Sequence, residues 1–135
     1  MKEHSYLLDT SFLLRLLTRD PLPLFRAAAA FLEQRTSPMP PLIVPDLVLS
    51  EAYYALQYHY SFPKAEALAA LRHLASHPAC AFTPHACEIL AFPNLAAAKP
   101  CFVDRLIHGA SRASAATLVT FEKSARKLTG ALILE

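Results

Sequence analysis

Short apolar runs alternate along the chain with longer segments whose apolar residues recur at helical spacing. The runs typical of buried strands lie at residues 6–8, 42–44, 117–121 and 132–134, with a weaker one at 81–82. The segments with helical spacing are 21–35, 47–60, 63–77, 84–97, 102–114 and 123–128. Strands that alternate with helices predict an α/β fold, in which a central, mostly parallel sheet of four to five strands carries helices on both faces.

Length and composition narrow the class of protein. At 135 residues the chain is the size of one domain, so we expect a single domain over residues 1–135. No apolar stretch approaches the roughly 18 residues of a membrane span, and the N-terminus lacks the features of a signal peptide, which favours a cytoplasmic protein with no membrane partner. With 2 glycines the chain has no glycine-rich phosphate-binding loop, and a net charge of +2 permits a nucleic-acid partner without arguing for one.

Acidic residues are placed where a parallel sheet forms its binding sites. Asp9 directly follows the first apolar run and Glu122 follows "TLVTF", while Glu51 and Asp104 lie near the starts of two predicted helices. Strand ends and helix starts share one edge of such a sheet, so we expect these carboxylates to converge. Carboxylates at one edge repel one another unless a cation lies between them, and oxygen ligands suit Mg²⁺ or Mn²⁺. This arrangement predicts metal-assisted attack on a phosphate ester, because a divalent metal activates water and neutralises charge on the phosphate.

A structural role is the alternative for each acid taken singly, because the helix dipole favours acids in first helical turns. The neighbouring hydroxyls are open to two interpretations as well. Thr10 and Ser11 either orient Asp9 or cap the helical turn that follows, and Thr120 either supports Glu122 or reflects the preference of threonine for strands.

The segments that carry these acids resemble the PIN domain, and in particular the VapC-type ribonuclease toxins of prokaryotic toxin–antitoxin pairs. "LLDTSFLLRLL" resembles the opening strand with its first acid, Asp9, and "VPDLVLSEAYYAL" resembles the helix with the second, Glu51. "FVDRLIHGAS" resembles the segment with the third acid, Asp104, and "ATLVTFEKSARKLTGALIL" resembles the closing strand, helix and strand, with Glu122 at the fourth acidic position. The resemblance covers nearly the whole chain.

The resemblance implies a compact α/β domain that cleaves RNA with Mg²⁺ or Mn²⁺ held by these four acids. It also implies a homodimer that is inhibited by a small antitoxin protein. Arg105 and Lys123 each neighbour a proposed metal ligand and are candidates for contacts with RNA phosphates, with a solvated helix face as the alternative. Residues 55–71, "ALQYHYSFPKAEALAAL", carry a surplus of apolar residues and are the candidate surface for a second copy or an antitoxin.

The chain departs from the family's pattern at three positions. Glu122 stands where Asp is usual, Arg105 where a small residue is frequent, and Cys101 where an acid is frequent. These departures leave open an alternative function, a PIN-like module that has lost catalysis and binds RNA or a protein partner. A phosphatase with Asp9 as its nucleophile is a weaker alternative, because no second acid follows two residues later.

Overall fold

A computed structural model describes residues 4–35 and 38–135. The chain divides into two compact units, Met1–Thr83 and Pro84–Glu135, and each is described by itself. The α-helices in the described residues are α1 Thr10–Thr18, α2 Leu22–Glu33, α3 Asp46–Tyr58, α4 Lys64–Ala75, α5 Pro84–Leu90 and α6 Phe102–Ala113. The strands are β1 Leu42–Ile43, β2 Cys80–Ala81, β3 Val119–Thr120 and β4 Leu132–Ile133, and two 3₁₀ helices span Leu95–Ala97 and Lys123–Lys127.

The strands of the first unit are parallel. β1 pairs with β2 so that Leu42 faces Cys80, and Leu7 forms an isolated parallel bridge with Ile43. The predicted strand at 6–8 is therefore a single bridge, held by hydrogen bonds on both sides of Leu7. Prolines at positions 41 and 45 flank β1, and because proline has no N–H to donate, they keep this strand short.

Helix α1 is an element that the apolar spacing did not predict. It begins directly after the extended residue Asp9 and ends where Arg19 adopts a left-handed conformation, with φ of 58°. Leu13 lies fully buried on the inner face, and α1 packs against α2 and α3. This packing brings the start of α1 next to α3.

Helices α3 and α4 correspond to the helices predicted at 47–60 and 63–77 and follow each other as a hairpin in the first unit. Both begin directly after a proline, Pro45 and Pro63, whose extended backbone leads into the first helical turn. The two helices pack against each other. The inner face of α3 is apolar and fully or almost fully buried, at Val48, Leu49, Ala52, Tyr53 and Leu56.

In the second unit, the helix predicted at 84–97 is interrupted. α5 ends at Leu90, and a separate 3₁₀ turn follows because Pro93 cannot donate a helical hydrogen bond and Asn94 has a positive φ of 56°. α5 packs against α6. The segment predicted as a helix at 123–128 is the 3₁₀ helix Lys123–Lys127.

Strands β3 and β4 pair in parallel, with Val119 opposite Leu132 and Thr120 opposite Ile133. The α/β class and the parallel arrangement of the strands are thus confirmed, while the described strands form two two-stranded sheets and are shorter than predicted. None of the helices in the described ranges combines the length and apolar character that a membrane crossing requires.

Candidate metal centre

Asp9 occupies the N-cap of α1 and is exposed. Its Oδ1 accepts a hydrogen bond from the Ser11 hydroxyl at 2.7 Å and another from the Phe12 backbone N–H at 3.1 Å. Both bonds favour the charged form, and the Ser11 hydroxyl is the main reason that the pKa of Asp9 lies below its usual value. The carboxylate at this position is therefore ionised and held in one orientation.

Glu51 is brought to the same helix start by Thr10. The Thr10 hydroxyl donates a hydrogen bond to Glu51 Oε1 at 2.8 Å, which links the first residue of α1 to an exposed position on α3. Thr10 therefore binds Glu51, while Ser11 binds Asp9. Two acids that lie 42 positions apart in the sequence both contact residues of the first turn of α1.

Asp104 lies in the first turn of α6 in the second unit and is half-buried. The Cys101 thiol lies 3.4 Å from Asp104 Oδ2, in the geometry of a weak S–H donor. Cys101 is the residue that precedes the helix, so the side chain of the cap residue approaches the acid three positions later. This contact holds one oxygen of the carboxylate near the start of α6.

Glu122 is fully exposed at the N-cap of the 3₁₀ helix Lys123–Lys127. Its Oε1 accepts hydrogen bonds from the Ser124 backbone N–H at 3.1 Å and from the Ser124 hydroxyl at 2.9 Å. These bonds, with a smaller effect of the Lys99 charge, hold the pKa of Glu122 below its usual value. Thr120 Oγ1 accepts a hydrogen bond from the Glu122 backbone N–H at 3.0 Å and so fixes the turn that presents the acid.

Asp9 and Glu122 share a local arrangement, which was one of the two alternatives predicted for Ser11 at Asp9 and was not predicted for Ser124 at Glu122. Each acid caps a helical turn, and a serine two residues later donates its hydroxyl to the acid. The repeated spacing of acid, any residue and serine, in "DTS" and "EKS", is the sequence signal that predicts it. Such hydrogen bonds compete well with regular backbone pairing at helix starts, where side-chain oxygens cap free N–H groups.

One oxygen of each of the four carboxylates is left without a hydrogen bond from the described residues. Asp9, Glu51 and Glu122 use Oδ1 or Oε1, and Asp104 uses Oδ2, so the other oxygen of each remains open. None of the four forms an ion pair within the described part of the chain. Partly tethered carboxylates with an open oxygen have the donor chemistry that Mg²⁺ and Mn²⁺ require.

Two of the four acids lie in each unit. Asp9 and Glu51 belong to the first unit, and Asp104 and Glu122 belong to the second. Across residues 4–35 and 38–135, no group of three or more His, Cys, Asp or Glu side chains lies close enough together to hold a metal ion. The convergence of all four acids stays a prediction.

A family model for the PIN domain matches residues 6–131 of the chain, which includes all four acids. The chain belongs to the PIN domain family. PIN domains are generally nucleases and generally use divalent metal ions. The resemblance inferred from the quoted segments is therefore confirmed at the level of the family.

A solved structure similar to this PIN domain is the crystal structure of VapBC2 from Rickettsia felis bound to a DNA fragment from their promoter. The sequence identity is 17%, the match covers 97% of this chain and 98% of that chain, and the TM-score is 0.38. No curated protein matches the chain.

The two basic residues expected to contact RNA have different surroundings in this PIN domain. Arg105 is half-buried: its Nε donates to the Pro100 carbonyl at 2.7 Å, and its guanidinium lies over the Phe92 ring, 4.6 Å from the centroid. Lys123 is exposed directly after Glu122. Arg105 is thus a fixed charge, and Lys123 a solvated one.

The Thr10 hydroxyl provides a test of the Glu51 position. Replacing Thr10 with Val keeps the shape of the side chain but removes the donor to Glu51 Oε1, so we expect metal-dependent nuclease activity to fall roughly tenfold or more. Thr10→Ser keeps the hydroxyl and should retain most of the activity. Comparing kcat/KM and melting temperature for the two variants checks this, and equal activity of Thr10→Val and wild type would show that the hydroxyl does not position Glu51 for function.

Proposed function

We propose that this PIN domain is an endoribonuclease that hydrolyses RNA phosphodiesters with Mg²⁺ or Mn²⁺. Its proposed metal ligands are Asp9, Glu51, Asp104 and Glu122, the acids that fall at the acidic positions of the resembling segments. Family membership supports the nuclease class, and the resemblance to VapC-type toxins supports RNA as the substrate.

The observation that carries the proposal is the pairing of Asp9 and Glu51 at the start of α1. Both side chains are exposed, and Thr10 and Ser11 hold one oxygen of each in place. The described residues supply no Lys or Arg to neutralise them. A structural role as helix cap explains Asp9 alone, but it does not explain why the next hydroxyl reaches across to Glu51.

In the proposed site the acids and the hydroxyl side chains have different roles. Asp9 and Glu51 would hold the cation, while Ser11 and Thr10 restrict the rotation of the two carboxylates. Ser124 does the same for Glu122, and Thr120 fixes the backbone turn that presents this acid. When bound, the divalent ion supplies an activated water and neutralises negative charge on the phosphate.

The proposed partners follow from the same resemblance. By its likeness to VapC-type toxins, this PIN domain acts as the toxin of a toxin–antitoxin pair, forms a homodimer and binds a small antitoxin protein. Within the apolar segment 55–71, Leu56, Leu68 and Leu71 are buried, whereas Tyr58 is exposed by 76%. Leu47 and Tyr54, which precede the segment on α3, are exposed as well. Exposed aromatic side chains on a helix of this kind suit a protein interface, which supports the proposed homodimer and antitoxin surface.

Metal removal tests the catalytic proposal directly. Purified protein is incubated with a mixed pool of single-stranded RNA in the presence of Mn²⁺, of Mg²⁺, or of EDTA. We expect cleavage with either metal and none with EDTA, and restoration when excess Mn²⁺ is added back. RNA binding without cleavage under all three conditions would favour the alternative, a PIN module that has lost catalysis.

A further inference from the structure

A cavity in the second unit has several basic side chains among apolar and small ones in its lining. It has a volume of about 620 Å³ and lies between α5, α6 and the segment that leads from the 3₁₀ helix Lys123–Lys127 towards β4. Its basic lining residues are His85, Arg105, His108, Arg112 and Lys127, against a single acid, Glu88. A concave surface with this charge attracts anions.

A second cavity continues this basic surface. It has a volume of about 470 Å³ and shares Arg105 and Lys127 with the first, and its lining adds Lys99 and the exposed ring of Phe92. The two cavities together form a basic track, which we define as Arg112, Arg105, Lys127 and Lys99 with Phe92 at its side.

The track is ordered by contacts within the second unit. Arg105 is held by the Pro100 carbonyl and the Phe92 ring. Arg112 passes close to Gly130, whose φ is 75°, and a Cβ at that glycine would lie 3.3 Å from Arg112 Nη1. The His108 ring bonds to the Thr129 carbonyl at 2.8 Å and ties α6 to the segment that carries Lys127.

The positive charges of the track are not neutralised by the protein. Within the described ranges none of its four cations forms an ion pair, whereas Arg126, which lines neither cavity, pairs with Glu135 at 3.3 Å. Arg105 of the track directly follows Asp104, a proposed metal ligand, in the first turn of α6. The track therefore includes a cation next to a residue proposed for the chemistry.

We propose that the basic track binds the phosphates of single-stranded RNA beside the bond that is cleaved, with the part of the Phe92 ring that Arg105 leaves exposed stacking on an unpaired base. This inference rests on the proposed ribonuclease function. A line of cations combined with an exposed aromatic ring is the general arrangement that proteins use for single-stranded nucleic acid, because the cations bind the backbone and the ring stacks on bases of any type.

The test compares Lys127, which belongs to the track, with its neighbour Arg126, which lines neither cavity. Binding of a short fluorescent single-stranded RNA is measured by anisotropy in EDTA, so that no cleavage takes place, at several salt concentrations. Lys127→Ala should weaken binding about three- to tenfold at low salt and reduce the slope of log affinity against log salt by about 0.7, the value for one phosphate contact on a single strand. Lys99→Ala should have the same direction of effect, and Arg126→Ala, which removes the same charge one residue away, should bind as wild type does.

Each other outcome contradicts the proposal. Equal losses in Lys127→Ala and Arg126→Ala would show that only net charge matters, and unchanged binding in both Lys127→Ala and Lys99→Ala would show that RNA does not contact the track. Double-stranded RNA that binds with the same dependence on Lys127 would overturn the preference for single strands. Polyglutamate that binds through Lys127 while RNA does not would identify an acidic protein segment as the occupant instead.

The same experiment separates this proposal from the proposed catalysis. If the wild type binds RNA through Lys127 in EDTA but cleaves nothing with Mn²⁺ or Mg²⁺, the track is supported and the catalytic proposal fails. If the wild type cleaves RNA with metal but Lys127→Ala and Lys99→Ala bind and cleave normally, the catalytic proposal stands and the track is wrong.

Discussion

An Asp9→Asn variant is expected to cleave RNA at least about a hundredfold more slowly than wild type at the same Mn²⁺ concentration, with almost the same melting temperature. The loss follows because Asn removes the negative charge of a proposed metal ligand, a larger change than the loss of a supporting hydrogen bond, which itself costs about 10- to 100-fold. The stability should persist because Asn is as good an N-cap as Asp, so the Phe12 N–H keeps its acceptor. Initial cleavage rates and thermal melts measure the two effects separately.

A matched variant controls for the change in charge. Glu33→Gln makes the same replacement of acid by amide at an exposed position of α2, and it should leave cleavage unchanged. Direct titration of Mn²⁺ should show weaker binding to Asp9→Asn than to Glu33→Gln. Full activity of Asp9→Asn would remove Asp9 from the proposed metal ligands and leave it a role as helix cap alone.

Replacing Gly109 with Ala should destabilise the protein by about 1–3 kcal/mol, the usual cost of forcing an extra carbon into a packed position. In the interior of a helix such as α6, this substitution ordinarily stabilises by about 1 kcal/mol, because Ala has the higher helix propensity. The sign is reversed here because the added Cβ would lie 2.7 Å from two ring atoms of His85 and 2.9 Å from its Cβ. Urea unfolding of wild type and variant gives the difference.

The contact with His85 can be isolated by a double substitution. Truncating the ring in His85→Ala removes the two contacts at 2.7 Å and leaves the one with the His85 Cβ at 2.9 Å, so Gly109→Ala should cost less in the His85→Ala background than in wild type, but should still destabilise. Ala110→Gly, at the next and exposed position of α6, reports the propensity effect without a clash and should destabilise by no more than about 1 kcal/mol. A Gly109→Ala protein that is more stable than wild type would contradict the close packing of His85 on α6.

The helices that were predicted well from the sequence are those whose starts are marked by a proline. α3 and α4 each follow a proline and have a clear apolar face, so their starts were predicted to within a residue or so. α1 was missed because the bridge at Leu7 and the helix after it form one apolar stretch, in which Asp9 is the only boundary. The helix predicted at 84–97 was too long because Pro93 was given no weight as a helix breaker.

The acids of the candidate site could be predicted from the sequence, but the hydrogen bond between Thr10 and Glu51 could not. An acid after an apolar run is visible in the sequence, and so is the serine two residues after Asp9 and Glu122. The bond from Thr10 to Glu51 joins residues 41 positions apart, and it exists only because α1 packs against α3. No local pattern encodes such a contact, since it depends on the way the two helices meet.

Three carboxylates of the proposed metal site are partly ordered before any ion binds. Folding already restricts the rotation of Asp9, Glu51 and Glu122, because each has an oxygen hydrogen-bonded to a neighbouring hydroxyl. Freezing a glutamate side chain costs up to roughly 1.5–2 kcal/mol in conformational entropy, and here part of that loss falls on the folding of the chain rather than on the capture of the ion. The ligand-free protein thus holds ordered negative charges ready, and an ion that binds them should also raise the stability of the fold by mass action.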